Sequence, residues 1–345
     1  MRYNLKPSGL KSSGRLLTTA FAAAMAFSPI AAVAQEVTLR LAHVVKEGDP
    51  AYIGAETFRE RVAALSDGRI AVKIFPAGQL GNNRKLFAQV QSGAVDMSFT
   101  PFNMLADIVP EFSIVTGGYM FENPEHQRRL LDSADFGQAW SKNLLEKGGL
   151  RILSHFFYGT RNLTTAKVEV RSPEGLSGLK IRAVPNSMSL ATVRGLGAAP
   201  TPVAWPETFQ ALRQGIVDGQ ENPIPVLYAA GFYEVQKYLI KTQHQMSALP
   251  FLIREPSWAK LSAADQQVLQ QAATEAAAVA TKTMVEFTQT LEADLVAKGM
   301  TIVELTEAER AVFRDRVRAS VAEEFDGKVF PAGLIAKVHA LAGGS

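Results

Sequence analysis

The stretch from Ser262 to Lys298 constrains the fold more than any other part of this 345-residue chain. It is dense in alanine, opens on a serine suited to capping a helix N-terminus, and meets Gly299 where a left-handed residue closes a helix. At 1.5 Å per residue such a helix extends about 50 Å, more than a single lobe requires. The pattern predicts a strut lying across two lobes. Chain length points the same way, because single hydrophobic cores stop growing at roughly 250 to 300 residues.

Upstream of that run, strand and helix patterns alternate. Val37–Val45 reads as a buried strand with His43 near its end, Ala51–Leu65 as a helix, Ile70–Phe75 as a strand, Arg84–Gln91 as a helix, and Ala94–Phe99 as a strand. Helices between strands imply parallel pairing and an α/β fold. Residues 102–149 look largely helical, and Leu150–Tyr158 is a strand from whose end Gly159, Thr160, Arg161 and Asn162 emerge. The short strand Leu179–Val184 carries Arg182, and a later one ends in Gln220, Glu221 and Asn222 before Pro223. Phe232–Thr242 is ambiguous, Met246–Ile253 reads as a strand, Thr306 and Glu309 form a capping box, and residues 329–342 suggest a last helix. The pattern F-x-x-[VL]-x-x-G-x-V-D occurs at Phe87–Asp96 and again at Phe209–Asp218, an echo that supports two halves of related architecture. Lobe boundaries follow: 35–158 plus about 247–280, and 159–246 plus about 300–345, with the helix at 262–298 spanning both.

The N-terminus carries Arg2, Lys6, Lys11 and Arg15, then the apolar run Leu16–Phe27, then Ala32-Val33-Ala34. This is the order of a cleaved secretory signal, with the cut after Ala34 and a periplasmic destination. Those four basic residues sit in a chain of net charge +3, so the remainder is close to neutral. Such a body gives no electrostatic case for binding nucleic acid or anionic membrane. With no cysteine, disulfides, thiolate metal sites and thiol nucleophiles are excluded.

Histidines 43, 126, 155, 244 and 339 are scattered without metal-ligand spacing, and no catalytic motif or cofactor loop is present. No metal, cofactor or catalytic residue is expected. What remains suits a small anion. Arg182 and Arg161 supply guanidinium forks that match a carboxylate. Asn222 and Asn186 supply amides, and Trp205 supplies an apolar or sugar-facing ring. Glu221 is read mainly as the partner that orients an arginine, and also as a contact for a ligand hydroxyl. His43 is read first as a satisfied core histidine and second as a hydrogen-bond partner for a hydroxylated ligand. Asn82 and Asn83 suit a helix cap, with Asn83 kept as a candidate ligand contact.

The blocks GLKIR, GAAPTPVAWPETFQAL and GIVDGQENP, together with LAHVV, FPAGQLGNNRKL and YGTRNLT, resemble the DctP-like periplasmic solute-binding proteins of TRAP transporters over nearly the whole chain beyond the leader. The resemblance implies two α/β lobes with a cleft between them, joined by strands and a long helix, that close on an organic acid. It implies that Arg182 binds the ligand carboxylate and that Arg161, Asn222 and Trp205 line the site. Sialic-acid-binding relatives often carry acidic residues where Asn82 and Asn83 stand, which disfavours a large amino sugar acid. The expected function is a monomeric, non-enzymatic receptor that captures a sugar acid such as a uronate or aldonate and delivers it to TRAP membrane permease subunits. The alternatives are a C4-dicarboxylate or keto-acid receptor, a ligand-presenting sensor protein, and an extracytoplasmic enzyme using His43 or Glu221 as acid or base.

Overall fold

The computed structural model describes residues 37–343, so the expected leader lies outside the described residues. Among the described residues nine strands form one sheet: β1 Val37–Ala42, β2 Ile70–Phe75, β3 Met97–Ser98, β4 Leu150–Thr165, β5 Lys180–Ala183, β6 Ala199–Pro202, β7 Gly219–Pro223, β8 Tyr238–Arg254 and β9 Thr301–Val303. Their order is β2-β1-β3-β8-β4-β7-β5-β6, with β9 paired to β8. The long strands β4 and β8 run antiparallel through the middle. On each side stands a trio of parallel strands joined by helices. In both trios the first strand is central, the second is at the outer edge, and the third abuts the long pair.

The repeated sequence pattern occupies equivalent places in these two halves. Each copy contains a left-handed glycine, Gly93 at φ +86° and Gly215 at φ +67°, and leads into the third strand of its trio. Each aspartate then ties that segment to the first strand. Asp96 accepts from the Arg40 amide at 2.9 Å while its own amide donates to Arg40 O at 3.1 Å. Asp218 accepts from the Lys180 amide at 2.8 Å and donates to Lys180 O at 2.8 Å. The two aspartates thereby secure neighbouring strands.

Several strands are longer or shorter than their local patterns suggest. The strand expected to end at Tyr158 continues to Thr165. Gly159 takes φ +90° there at a bulge in the β4–β8 ladder, and an added Cβ would lie 2.7 Å from Pro223 Cβ, so the glycine also permits the close approach of β7. Arg161 is consequently inside β4, opposite Pro223 and Gln245, and not beyond a strand end. The ambiguous segment resolves into a short 3₁₀ turn at Phe232–Glu234 followed by β8, which begins at Tyr238 and not at Met246. The strand expected at Ala94–Phe99 contracts to Met97–Ser98, and the last helix to Leu334–Ala340.

The long helix is Ala263–Ala297, capped by Ser262, whose hydroxyl accepts from the Asp265 amide. Its buried face holds Ala272, Ala273, Ala276, Ala277 and Ala280, which lie in one core cluster with Phe58, Leu41 and Phe251. Small side chains let the helix Pro50–Leu65 approach closely, and an added Cβ on Gly54 would lie 2.9 Å from Ala280 Cβ. Further along, Leu295 enters a separate cluster with Leu212, Leu227 and Phe232. One helix thus packs on two of the hydrophobic clusters, one under the first trio and one beside the helices that flank β7.

A second tight crossing joins the helices Ser187–Leu196 and Glu307–Phe325, where a Cβ on Gly195 would lie 2.6 Å from Val317 Cα. Because backbone cannot yield as a flexible side chain does, Gly195→Ala is expected to lower stability by about 1 to 3 kcal/mol. A lower midpoint in thermal or denaturant unfolding checks this.

Candidate functional site

A cavity opens where the two trios face each other across β4 and β8. The first half contributes His43, Asn83 and Asn103, the second Arg182, Trp205 and Asn222, and the long strands Tyr158, Arg161 and Gln245.

Arg182 is the largest fully buried side chain, 2% exposed, and sits one residue before the end of β5. Its Nε donates to Val203 O at 2.9 Å, and its guanidinium lies 5.7 Å from the centre of the Trp205 ring. Among the described residues it has no carboxylate within salt-bridge distance. Burial pulls its pKa down to about 10, with Glu221 pulling it up and Arg161 further down, so it is charged at neutral pH. A buried charge without a paired anion is costly, and this one faces the cavity.

Arg161 differs because its charge is already matched. It is a diagonal cross-strand neighbour of Glu221 on the β4–β7 ladder. Its Nε pairs with Glu221 Oε2, and its Nη2 donates to Glu221 Oε1 at 2.8 Å and to Glu221 O at 2.6 Å. His244 Nε2 lies 3.3 Å from the same carboxylate, and its Nδ1 lies 2.8 Å from Thr242 Oγ1. Burial alone would raise the Glu221 pKa, but Arg161 and the His244 hydrogen bond outweigh it and hold the carboxyl at about 2. Glu221 stands behind Arg161 and does not line the cavity.

The remaining sequence candidates divide by what their side chains already bond. Asn186 caps the helix Ser187–Leu196, accepting from the Ser189 amide at 2.9 Å, and is not part of the cavity wall. Asn82 caps the helix Asn83–Ser92 through the Lys85 amide, and both Asn82 and Asn83 line the cavity. Asn222 lines it too, with its amide nitrogen bonded to Gln220. Trp205 serves both core and wall, its ring 5.6 Å from Phe232. His43 is 1% exposed and lies in the wall, and neither ring nitrogen makes a hydrogen bond of good geometry, the Val45 backbone offering only a weak contact, so it is not the satisfied core residue expected. Burial lowers its pKa to about 4, against a smaller opposing pull from the Val45 backbone.

Sequence reading missed Tyr158, Asn103 and His244. Tyr158 immediately precedes the G-T-R run and donates to Asp49 Oδ2 at 2.6 Å. Burial raises the Asp49 pKa to about 6 despite the Tyr158 and Ala51 hydrogen bonds. His244 had no local signal, because it reaches Glu221 from an irregular stretch of β8 between Ile240 and Gln245.

The Arg161–Glu221 pair makes a signed prediction. A depressed carboxyl pKa contributes stability above its unfolded value of 4.5, and that stability is lost as pH falls through about 2. Glu221→Gln leaves Arg161 buried and unpaired, a loss of roughly 3 to 5 kcal/mol at neutral pH. Denaturant titrations across pH should show the gap between variant and wild type narrowing as pH falls below about 4.5.

Comparison with known proteins fits this geometry. A family model described as bacterial extracellular solute-binding protein, family 7, matches residues 41–328. A solute-binding protein of Roseobacter denitrificans is 38% identical over 301 residues, 87% of this chain and 91% of its own length. A crystal structure of a TRAP periplasmic solute-binding protein from that organism, with bound L-galactonate, aligns with TM-score 0.82 at 33% identity over 89% of this chain and 99% of its own. Another from Polaromonas, bound to D-erythronate, gives 0.81 at 33% identity over 88% and 99%. One from Sulfurospirillum deleyianum, with bound succinate, gives 0.83 at 26% identity over 89% and 99%. With its two trios, its spanning helix and a family match over most of its length, the chain belongs to the DctP family of bacterial extracellular solute-binding proteins, the TRAP type, and has their two-lobed α/β fold.

Proposed function

We propose that this protein is the periplasmic receptor of a TRAP transporter, that it captures a hydroxylated monocarboxylate such as an aldonate or uronate, and that it hands the ligand to membrane permease subunits. The observation that carries the reading is Arg182, a buried guanidinium in the cavity wall with no carboxylate of its own among the described residues. A ligand carboxylate supplies the missing charge, and the planar fork favours bidentate contact. Charge counting supports one carboxylate over two, because Glu221 already matches Arg161 and His43 is neutral. The sugar acids bound by relatives agree with this reading, and the succinate-bound relative marks the competing one.

In this reading residues 1–34 are the export leader and the receptor acts as a monomer. The lobes are 35–158 plus about 247–280 and 159–246 plus about 300–345, with 262–298 spanning both. Ligand touching His43 and Asn83 on one side and Arg182, Arg161, Asn222 and Trp205 on the other favours the closed form only by its differential affinity for that form. In this reading the protein is a receptor and not an enzyme, in keeping with a Glu221 held near 2 and a His43 near 4, values away from those of a general acid or base at neutral pH.

A thermal-shift screen against aldonates, uronates, C4-dicarboxylates, keto acids, neutral sugars and amino acids tests the reading, since ligand bound only to the folded state raises Tm. Stabilisation by hydroxylated monocarboxylates supports it, and stabilisation by neutral sugars or amino acids alone refutes it. Arg182→Ala and Arg182→Lys should each weaken the best acid by about 2 to 5 kcal/mol while the unliganded protein stays folded. Trp205→Ala should weaken a cyclic sugar acid more than a short linear one, measured by calorimetric titration.

A further inference from the structure

Among the described residues, the buried side-chain polar atoms without a hydrogen-bond partner belong to eight residues. Two of these, His43 and Asn103, line the cavity, and they account for both imidazole nitrogens and the Asn103 carbonyl oxygen. They are 1% and 7% exposed. Buried polar groups of folded proteins are almost always paired, and an unpaired one needs a physical account.

The setting of each residue limits what can pair with it. His43 follows β1, its amide donating to Phe75 O at 3.1 Å. Its ring is stacked on Phe99 at 5.6 Å and meets Tyr52 edge-on at 5.9 Å, which fixes the plane in which the nitrogens present themselves. Burial keeps the ring neutral near pH 7, so one nitrogen donates and the other accepts. Asn103 lies in the short helix Phe102–Leu105, and its free Oδ1 only accepts. A carboxylate accepts only, so it could take the His43 N–H but would leave the acceptor nitrogen of His43 and Asn103 Oδ1 without a donor. Hydroxyl groups both donate and accept, so two or more of them on one ligand would satisfy all of these atoms.

We infer that His43 and Asn103 are the specificity-determining pair that reads ligand hydroxyl groups, so that the site selects a polyhydroxylated monocarboxylate over an unsubstituted acid or a dicarboxylate. This rests on the receptor reading above and deepens it: Arg182 anchors the carboxylate, and these two residues require hydroxyls elsewhere on the molecule. A site built to hydrogen-bond a ligand hydroxyl rejects analogues lacking it far more strongly than an apolar pocket rejects a missing methylene, because its own groups are left unpaired.

The test is calorimetric titration of the wild-type protein, His43→Phe and Asn103→Leu with three probes. These are the best binder from a panel of four- to six-carbon aldonates, the unsubstituted acid of the same chain length, and succinate. Wild type is expected to bind the aldonate about 100-fold or more tightly than either other acid. Each variant is expected to lose about tenfold or more for the aldonate while changing by less than about threefold for the unsubstituted acid. Wild-type protein that binds succinate or the unsubstituted acid as tightly as the aldonate overturns the inference, even if a variant fails to fold. Folded variants that lose all three probes equally, or lose none, also overturn it. If succinate is preferred and the preference depends on Arg182, the receptor reading stands and this inference alone falls. If no organic acid binds, both fall.

Discussion

The antiparallel pairing of β4 with β8 is the constraint on which the rest depends. These are the two longest strands, and each trio of parallel strands hydrogen-bonds to one of them, β3 to β8 on one side and β7 to β4 on the other. Every wall of the cavity is therefore referenced to one ladder. That ladder is not uniform. Its register shifts near Gly159 and again between Gln245 and Ile240, and these irregularities fall beside Tyr158, Arg161 and His244. Bulges re-aim side chains that a regular strand would send to alternate faces.

Charge within the cavity wall is arranged unequally. Arg161 is enclosed by Glu221, with His244 beyond, and the cluster is nearly self-sufficient. Arg182 receives from the protein a backbone carbonyl and the face of Trp205, neither of which carries a full negative charge. In a low-dielectric site the difference is large, because Coulomb interactions are weakly screened and an unmatched charge draws whatever anion fits. In the proposed reading Arg161 orders the scaffold and Arg182 is the anchor for the ligand carboxylate. In the same reading the unpaired atoms of His43 and Asn103 add a second, uncharged demand, which hydroxyl groups on the ligand would meet.

The two halves show how a short local pattern becomes a structural device. Asp96 and Asp218 each bond through both side chain and backbone to the first strand of their own trio. The glycine before each aspartate allows the left-handed turn that lets the chain leave a helix and enter the sheet beside that strand. An aspartate in this place secures strands that would otherwise be held by only a few ladder bonds, since β3 has two residues and β5 has four.

Sequence alone determined those features that depend on neighbours a few residues apart. The long alanine-rich helix, its serine cap, the capping box at Thr306, the parallel trios and the paired glycine-aspartate turns are set by periodicity, capping and turn chemistry, which act locally. Sequence also identified Arg182, because a guanidinium in an apolar strand is a local anomaly. The tertiary structure decided how far β4 and β8 extend, since Gly159 reads locally as a stop and becomes a bulge only when Pro223 and the facing strand are present. It decided that Glu221 neutralises Arg161 and not Arg182, and that His43 and Asn103 lack partners, because pairing and desolvation depend on groups brought close only when distant segments pack.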